Sequence, residues 1–359
     1  MEITLKTLTP LWTGGVGGTC DRLHETGIIG SLRWWYEAIV RGLEGWACDP
    51  TSGGCIYERK KGESHEQAYD RLCDACRMFG CTGWKRRFRL SAELSTSRSA
   101  TRFCLATLDR PDKFNYWWLA QVFANAIGRP SPFADVDMQV QFLPEDESRE
   151  AALRGLLSLM SRYGGIGAKT QYGFGRFDWS GKLSDATALE AIREQLHTSA
   201  KPAPSQLSDF YTLHDFWHLT CLIPEVDPLI RRFKEATVVG DAPTFNRLRE
   251  RYLPVSFDIR YKLPGSDEGL RQAYRMSHGK MAARQVFGTL KGDKRGSRVF
   301  VSHLYKKDIA EDHYCLNAWG FTEPGIGKEI RQEVEKMFPS AYTEMITGTQ
   351  LLGRKGAGK

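Results

Sequence analysis

The chain of 359 residues contains no run of 18 apolar residues, so a membrane-spanning helix is not expected. Its first residues, MEITLKTLTPLW, alternate polar and apolar and lack a positive segment leading into an apolar one, so no secretory leader is expected either. Catalytic signatures are missing as well. There is no HExxH, no GxSxG and no paired-carboxylate metal motif. The glycine-rich segment 163–177 places Lys169 five residues after Gly164, with Ala168 where a P-loop needs glycine, which argues against ATP binding. Neither sign of charge dominates: 50 Lys and Arg against 43 Asp and Glu give +7, compatible with a polyanion partner without requiring one. A content of 41% hydrophobic and 11% aromatic residues excludes a disordered chain.

Cysteine is present but in odd number. Six of the nine lie between residues 20 and 81, which in a chain with no export signal points to a reducing, cytoplasmic setting. Cys73-x2-Cys76 has the spacing of metal ligands. Cys55 and Cys81 are expected to complete a tetrahedral set, with Cys48 and His65 close enough to substitute. A polar insertion with little core of its own gains order from a structural zinc, and otherwise these are reduced thiols. No other cofactor is required.

Hydrophobic periodicity predicts strands at 2–8, 86–94, 136–142 and 174–179, and helices at 28–43 (capped by Ser31), 114–127, 148–162 and 187–197, the last opened by a Thr187–Glu190 capping box. After a Pro-bearing linker at 201–206 a second series follows. It has strands at 211–223, 255–260, 298–304 and 313–319, and helices at 267–276 and 327–338. Two α+β domains, at 1–200 and 207–350, are the economical reading, with a cysteine-bearing insertion at about 45–82 in the first.

Basic residues cluster twice beside aromatic ones. Lys85, Arg86, Arg87 and Arg89 flank Trp84 and Phe88, with Arg98 and Arg102 following. Segment 280–307 carries Lys280, Arg284, Lys291, Lys294, Arg295, Arg298, Lys306 and Lys307 against one acid, Asp293. Such interleaving suits a single-stranded polyanion, while a solvated lysine-rich loop is the plain alternative. The two clusters fall in segments that echo each other, 76–90 and 283–304, each running from Phe-Gly through a basic loop into a strand. In segment 163–177, Gly164, Gly165 and Gly167 allow close backbone approach to phosphates, Lys169 and Arg176 add charge, and Tyr172 offers a ring for stacking. A tight helix-to-strand turn explains the same glycines equally well.

The opening LTPLWTGG, the segment GIIGSLRWWYEAI, the CRMFG element and the loop GGIGAKTQYGFGRF, in this order, resemble the RAMP superfamily of CRISPR effector subunits, and within it the Cmr1 family of type III-B systems. The resemblance implies tandem ferredoxin-like (RRM-like) domains with loop insertions, one of them cysteine-rich. It implies a non-catalytic subunit that joins crRNA, target single-stranded RNA and other Cmr subunits, and holds target RNA near the crRNA 3′ region while other subunits cut. It also places Arg33 on the crRNA side, although a salt bridge to Glu37 is the structural alternative. Two rivals remain: a crRNA-processing endoribonuclease using His24, and a pure scaffold.

Overall fold

A computed structural model describes residues 1–14, 20, 22–49, 54–94, 101–102, 133–134, 137–197, 210–236, 250–261, 263, 268–289, 292 and 295–353, with only the backbone of 101–102, 133–134 and 235–236. The expected helix at 114–127, the linker, and Arg98, Lys291 and Lys294 lie outside these residues.

In the first half β1 (Glu2–Thr7) puts Ile3, Leu5 and Thr7 on its buried side. β2 (Phe88–Leu94) follows, then a two-stranded pair, β3 (Thr101–Arg102) with β4 (Phe133–Ala134). β5 (Asp137–Pro144) and the short β6 (Phe177–Asp178) complete an antiparallel sheet of order β2-β5-β1-β6. Its register sets Ile3 against Val140 and Leu90 against Phe142, so the apolar alternation of each strand falls on one face. That face is covered by α1 (Glu25–Gly42), which buries Ile28, Leu32, Trp35 and Ile39. The insertion carries α2 (His65–Asp70), with a Ser64–Gln67 capping box, and α3 (Asp74–Phe79). Asp146 caps α4 (Glu147–Tyr163) through the Arg149 N–H at 2.9 Å, and α5 (Asp185–Arg193) follows.

The second half opens on β7 (Phe216–Pro224) and α6 (Pro228–Ala236). Next come β8 (Tyr252–Leu253), α7 (Ser256–Tyr261) and α8 (Leu270–Phe287), the last broken at Gly279. The closing elements are β9 (Val299–Val301), β10 (Leu304–Tyr305), β11 (His313–Phe321), α9 (Pro324–Met337), β12 (Tyr342–Thr347) and α10 (Gly348–Leu351). The sheet runs β12-β7-β11-β10-β8, with β9 also on β11. One face, with Leu219, Cys221, Leu316 and Ala318, belongs to a core shared with Ile230, Val286 and Val334 of the helices. The opposite face turns Phe216 and Phe321 into the core of the first half. Trp34 of α1 lies 5.2 Å from Phe321 and 4.9 Å from Tyr211, while Trp35 lies 5.8 Å from Phe216, mostly edge-on. Among the described residues the molecule is thus a mixed α/β chain of two larger antiparallel sheets and the β3–β4 pair, with a cysteine-rich loop region.

Several expectations are corrected. Segment 255–260 is helix rather than strand. Val255 and Ile259, four apart, are buried while Phe257 between them is half-exposed, so a pattern that alternates on paper is used with helical spacing. Ser31 is not a cap, because α1 begins six residues earlier at Glu25; its hydroxyl donates to Ile28 O and accepts the Gly167 N–H at 2.9 Å. Ser184, not Thr187, caps α5. The strand expected at 174–179 shrinks to two residues, and β12 was not foreseen.

Replacing Trp35 by Ala is expected to lower the unfolding free energy by about 3–5 kcal/mol, as for a buried large aromatic. Equilibrium denaturation measures this, and a loss below about 1 kcal/mol would show that the contact does not hold the halves together.

Candidate nucleic-acid interface and cysteine cluster

The glycine-rich segment leaves the C-terminus of α4 and threads between the halves. Its backbone is mostly committed to the fold. Ile166 N–H donates to Gly175 O, Ala168 N–H to Trp12 O, Gly175 N–H to Pro10 O and Gly167 N–H to Ser31 Oγ, all at 2.8–2.9 Å. A phosphate nest of consecutive free amides is therefore not formed there. Gly164 lies against the Trp35 ring, where a Cβ would come within 2.1 Å of Cζ2, so its role is close packing. Arg176 is the clearest correction. It is 3% exposed and turns inward, its guanidinium donating to the carbonyls of Ser161, Arg162 and Gly164. Those are carbonyls at the end of α4, where the helix dipole favours a cation, so the charge serves the helix rather than a ligand. Lys169 stands with its ammonium 3.4 Å above the Trp12 ring, and burial lowers its pKa. Arg33 bonds Glu37 Oε1 (2.8 Å), Gly80 O (2.9 Å) and Cys76 Sγ (3.3 Å), so it stitches α1 to the cysteine region.

What remains of the segment is surface. Gly165, Gly167 and Lys169 line a cavity of about 500 Å³ together with Gly27, Gly30 and Trp34 of α1. At Gln171, Gly296 and Ser297 this cavity continues into a basin of about 600 Å³. Arg260, Arg271, Arg275, Lys280, Arg284 and Arg295 line the basin, and among the described residues no carboxylate does. Tyr172, Phe257, Tyr261 and Phe287 supply its rings. The structure therefore brings Tyr172, Lys280, Arg284 and Arg295 together, as four of the sequence candidates, and adds Arg260, Arg271 and Arg275. The last two, with Lys280 and Arg284, form two i,i+4 pairs on either side of the Gly279 break, a spacing that was readable in the sequence. Arg260 was not readable. It is 1% exposed and donates to Gln171 O (2.5 Å), Phe287 O (3.3 Å) and Ser297 Oγ (2.6 Å), with no carboxylate partner among the described residues. A buried cation held by neutral acceptors alone leaves an uncompensated charge, and an anion entering the basin offsets it. Arg298 sits 5.7 Å from the Tyr211 ring, beside the first cavity.

The other basic cluster is separate. Lys85, Arg86 and Arg89 are exposed, and Arg87 pairs with Glu145 at 2.7 Å.

Among the cysteines, Cys48, Cys55, Cys73 and Cys76 gather with all ligand atoms within 4.8 Å of one another. Cys48, not Cys81, completes the set. Arg41 places it by donating to the carbonyls of Ala47 and Cys48, whereas Cys81 is held by a backbone bridge to Trp84. Cys73 caps α3, taking the Cys76 N–H at 3.3 Å, and Cys55 takes the Cys73 N–H at 3.3 Å. Hydrogen bonds from its three neighbours hold the Cys48 thiol well below its ordinary range, and Cys48 in turn pushes Cys73 and Cys76 up. Four thiols at this range lose all their protons only when a cation is present, so the cluster is able to coordinate a metal ion.

Residues 4–178 match the family model of the RAMP superfamily. Residues 4–178 belong to the RAMP superfamily. Among solved structures it is similar to Cmr1 from Pyrococcus furiosus in its apo form, at 14% identity and a TM-score of 0.47 over 95% of this chain and 97% of that one. It is also similar to a chain of a type III-B Cmr-beta complex bound to cognate target RNA and AMPPnP, at 14% identity and a TM-score of 0.39 over 94% and 98%. No curated protein matches it in sequence. No helix among the described residues is long and apolar enough to cross a membrane.

His303 lies between the halves, its ring 5.3 Å from that of Phe174 in the glycine-rich segment, and burial pushes its pKa down to about 3. Burial, with Arg176 adding to it, also holds His218 well below 6.5. Both stay neutral in the fold while the unfolded chain takes up protons, so their contribution is full above pH about 6.5 and is lost as pH falls toward about 3. Denaturation at stepped pH should show stability falling through that window, and His303→Asn should flatten the fall. An unchanged slope would contradict this assignment.

Proposed function

We propose that this RAMP protein is a Cmr1-type, non-catalytic subunit of a type III-B CRISPR effector, which holds target single-stranded RNA near the 3′ region of the crRNA alongside other Cmr subunits in the cytoplasm. The observation that carries the reading is the basin: among the described residues it has six cations and no carboxylate in its lining, a buried guanidinium at its floor and aromatic rings in its wall. Phosphates neutralise such a basin while bases rest on the rings, and neither contact reads sequence, which base pairing with the guide then supplies. The four N-terminal motifs and the family match support the membership from which the partners are drawn.

The fold supports two ferredoxin-like domains, at 1–200 and 207–350. In each sheet the order of the principal strands is fourth, first, third, second, as β6-β1-β5-β2 and as β12-β7-β11 followed by β9 and β10. The cysteine cluster is assigned a structural zinc in place of a core for the insertion. Sulfurs about 2.3 Å from a tetrahedral zinc lie about 3.8 Å apart, which the Cys48–Cys76 separation of 3.5 Å approaches.

Two measurements test this. Lys280→Glu with Arg284→Glu should weaken single-stranded RNA binding at least about tenfold for any sequence and make the log–log salt slope shallower by about two. Unchanged affinity removes the basin from the reading, and probe cleavage that disappears in His24→Ala replaces it with the nuclease. Metal analysis of purified protein should find about one zinc per chain, lost in Cys48→Ser and kept in Cys81→Ser. Equal metal content in the two variants would refute the assigned ligand set.

A further inference from the structure

The echo between segments 76–90 and 283–304 is a repeated corner. α3 ends at Phe79-Gly80 and α8 at Phe287-Gly288, and the two glycines share one conformation, φ 83°, ψ 163° and φ 77°, ψ 173°. A side chain at either is strained, and its Cβ would strike the following loop, 2.8 Å from Arg86 N in one case and 2.7 Å from Arg295 O in the other. The next residue bridges across that loop in both, Cys81 to Trp84 and Thr289 to Arg295. An arginine then closes each corner onto the residue before the phenylalanine: Arg87 N–H on Met78 O at 3.0 Å, Arg298 N–H on Val286 O at 2.9 Å. A strand starts immediately after each. The same device therefore presents a basic loop at the same point of each half.

The two corners are furnished differently. The second opens on the basin, whose lining carries six cations and no carboxylate among the described residues. The first opens on a pocket of about 470 Å³ walled by Tyr57 and Trp84, with Lys85, Arg86 and Arg89 around it and the apolar Leu143, 52% exposed, at one side. Arg87 is neutralised by Glu145, and its guanidinium lies 4.2 Å over the Trp84 ring, covering one face of the indole and offering its own plane in that place. The Tyr57 and Trp84 rings are 4.9 Å apart. The volume is within the roughly 300–1,000 Å³ of small-ligand pockets.

We propose that this first corner is a second, distinct RNA station, which takes an unpaired nucleobase against Trp84, Arg87 and Tyr57 while Lys85, Arg86 and Arg89 hold the adjoining phosphates. Planar rings and guanidinium planes are what unstacked RNA bases rest on, and the lower net charge suits a base better than a run of phosphates. The station rests on the reading that the chain holds single-stranded RNA. It differs from the basin in contributing affinity that salt screens less.

The full chain is irradiated with a single-stranded RNA of about 16 nucleotides and the adducts are mapped by mass spectrometry, for the wild type and for Lys280→Glu with Arg284→Glu. Adducts on Tyr57 or Trp84 are expected in both. In parallel, Lys85→Glu with Arg89→Glu, both on exposed side chains, should weaken binding roughly tenfold while metal content and thermal midpoint stay unchanged. Adducts confined to the basin, or unaltered affinity in the Lys85/Arg89 variant, overturn the station and leave the basin standing. Adducts at Trp84 with full affinity in the Lys280/Arg284 variant keep the station and overturn the basin. No adduct anywhere overturns both.

Discussion

The packing of Trp34 and Trp35 against Phe216 and Phe321 is the contact on which the rest of the molecule depends. Each such ring removes roughly 150–250 Å² from water, so two adjacent tryptophans on one helix turn weld α1 of the first half to the second sheet. The contact has a topological cost. One face of that sheet is already covered by α6, α8 and α9, and the other is now occupied by the first half. That second face keeps a cleft of about 280 Å³ open at Thr220, Leu222 and Asn317. The cations of the larger basin come from the helix and loop rims, chiefly from α8 and the loop after it.

Buried guanidinium groups recur as fasteners. Arg41 ties α1 to the carbonyls of Ala47, Cys48 and Tyr211; Arg176 closes α4; Arg260 ties α7 to Gln171 and Ser297. A planar fork with five donors can satisfy several carbonyls from different segments at once, which a lysine cannot. The three differ in their electrostatics. Arg41 has Glu37 at 3.7 Å, and Arg176 has a helix end, whereas Arg260 has only neutral acceptors among the described residues and sits under an open basin. The same fastening that completes the core therefore leaves positive potential where a polyanion can reach it.

The long periodic elements were legible because burial of one face dictates their pattern. Val140 and Phe142 alternate with Gln139 and Gln141, and the helix through Leu32, Trp35 and Ile39 keeps its 3.6-residue stripe. Boundaries and short elements were less so. Val255, Phe257 and Ile259 satisfy both periods over six residues, and only the packing of Val255 and Ile259 in the second core selects the helix. In the site, the two basic clusters and the Cys73–Cys76 pair could be read directly, since each is local in sequence. The fourth thiol could not, because Cys48 and Cys81 are both near in number and only the turn held by Arg41 brings one of them in.

By itself the sequence determined the class of the chain: alternating strands and amphipathic helices in two series, a Phe-Gly corner written twice, clustered thiols, and cations next to rings. The tertiary structure decided which of those groups face a ligand. Arg176 lies in the glycine-rich motif and points into the core, while Arg260, Arg271 and Arg275 lie outside every motif and line the basin with Tyr172, some 88 to 103 residues away by number. The reason is physical. Local pattern fixes which side of an element is apolar, but whether a cation on it is covered or left open depends on what packs opposite, and that is set by contacts distant along the chain.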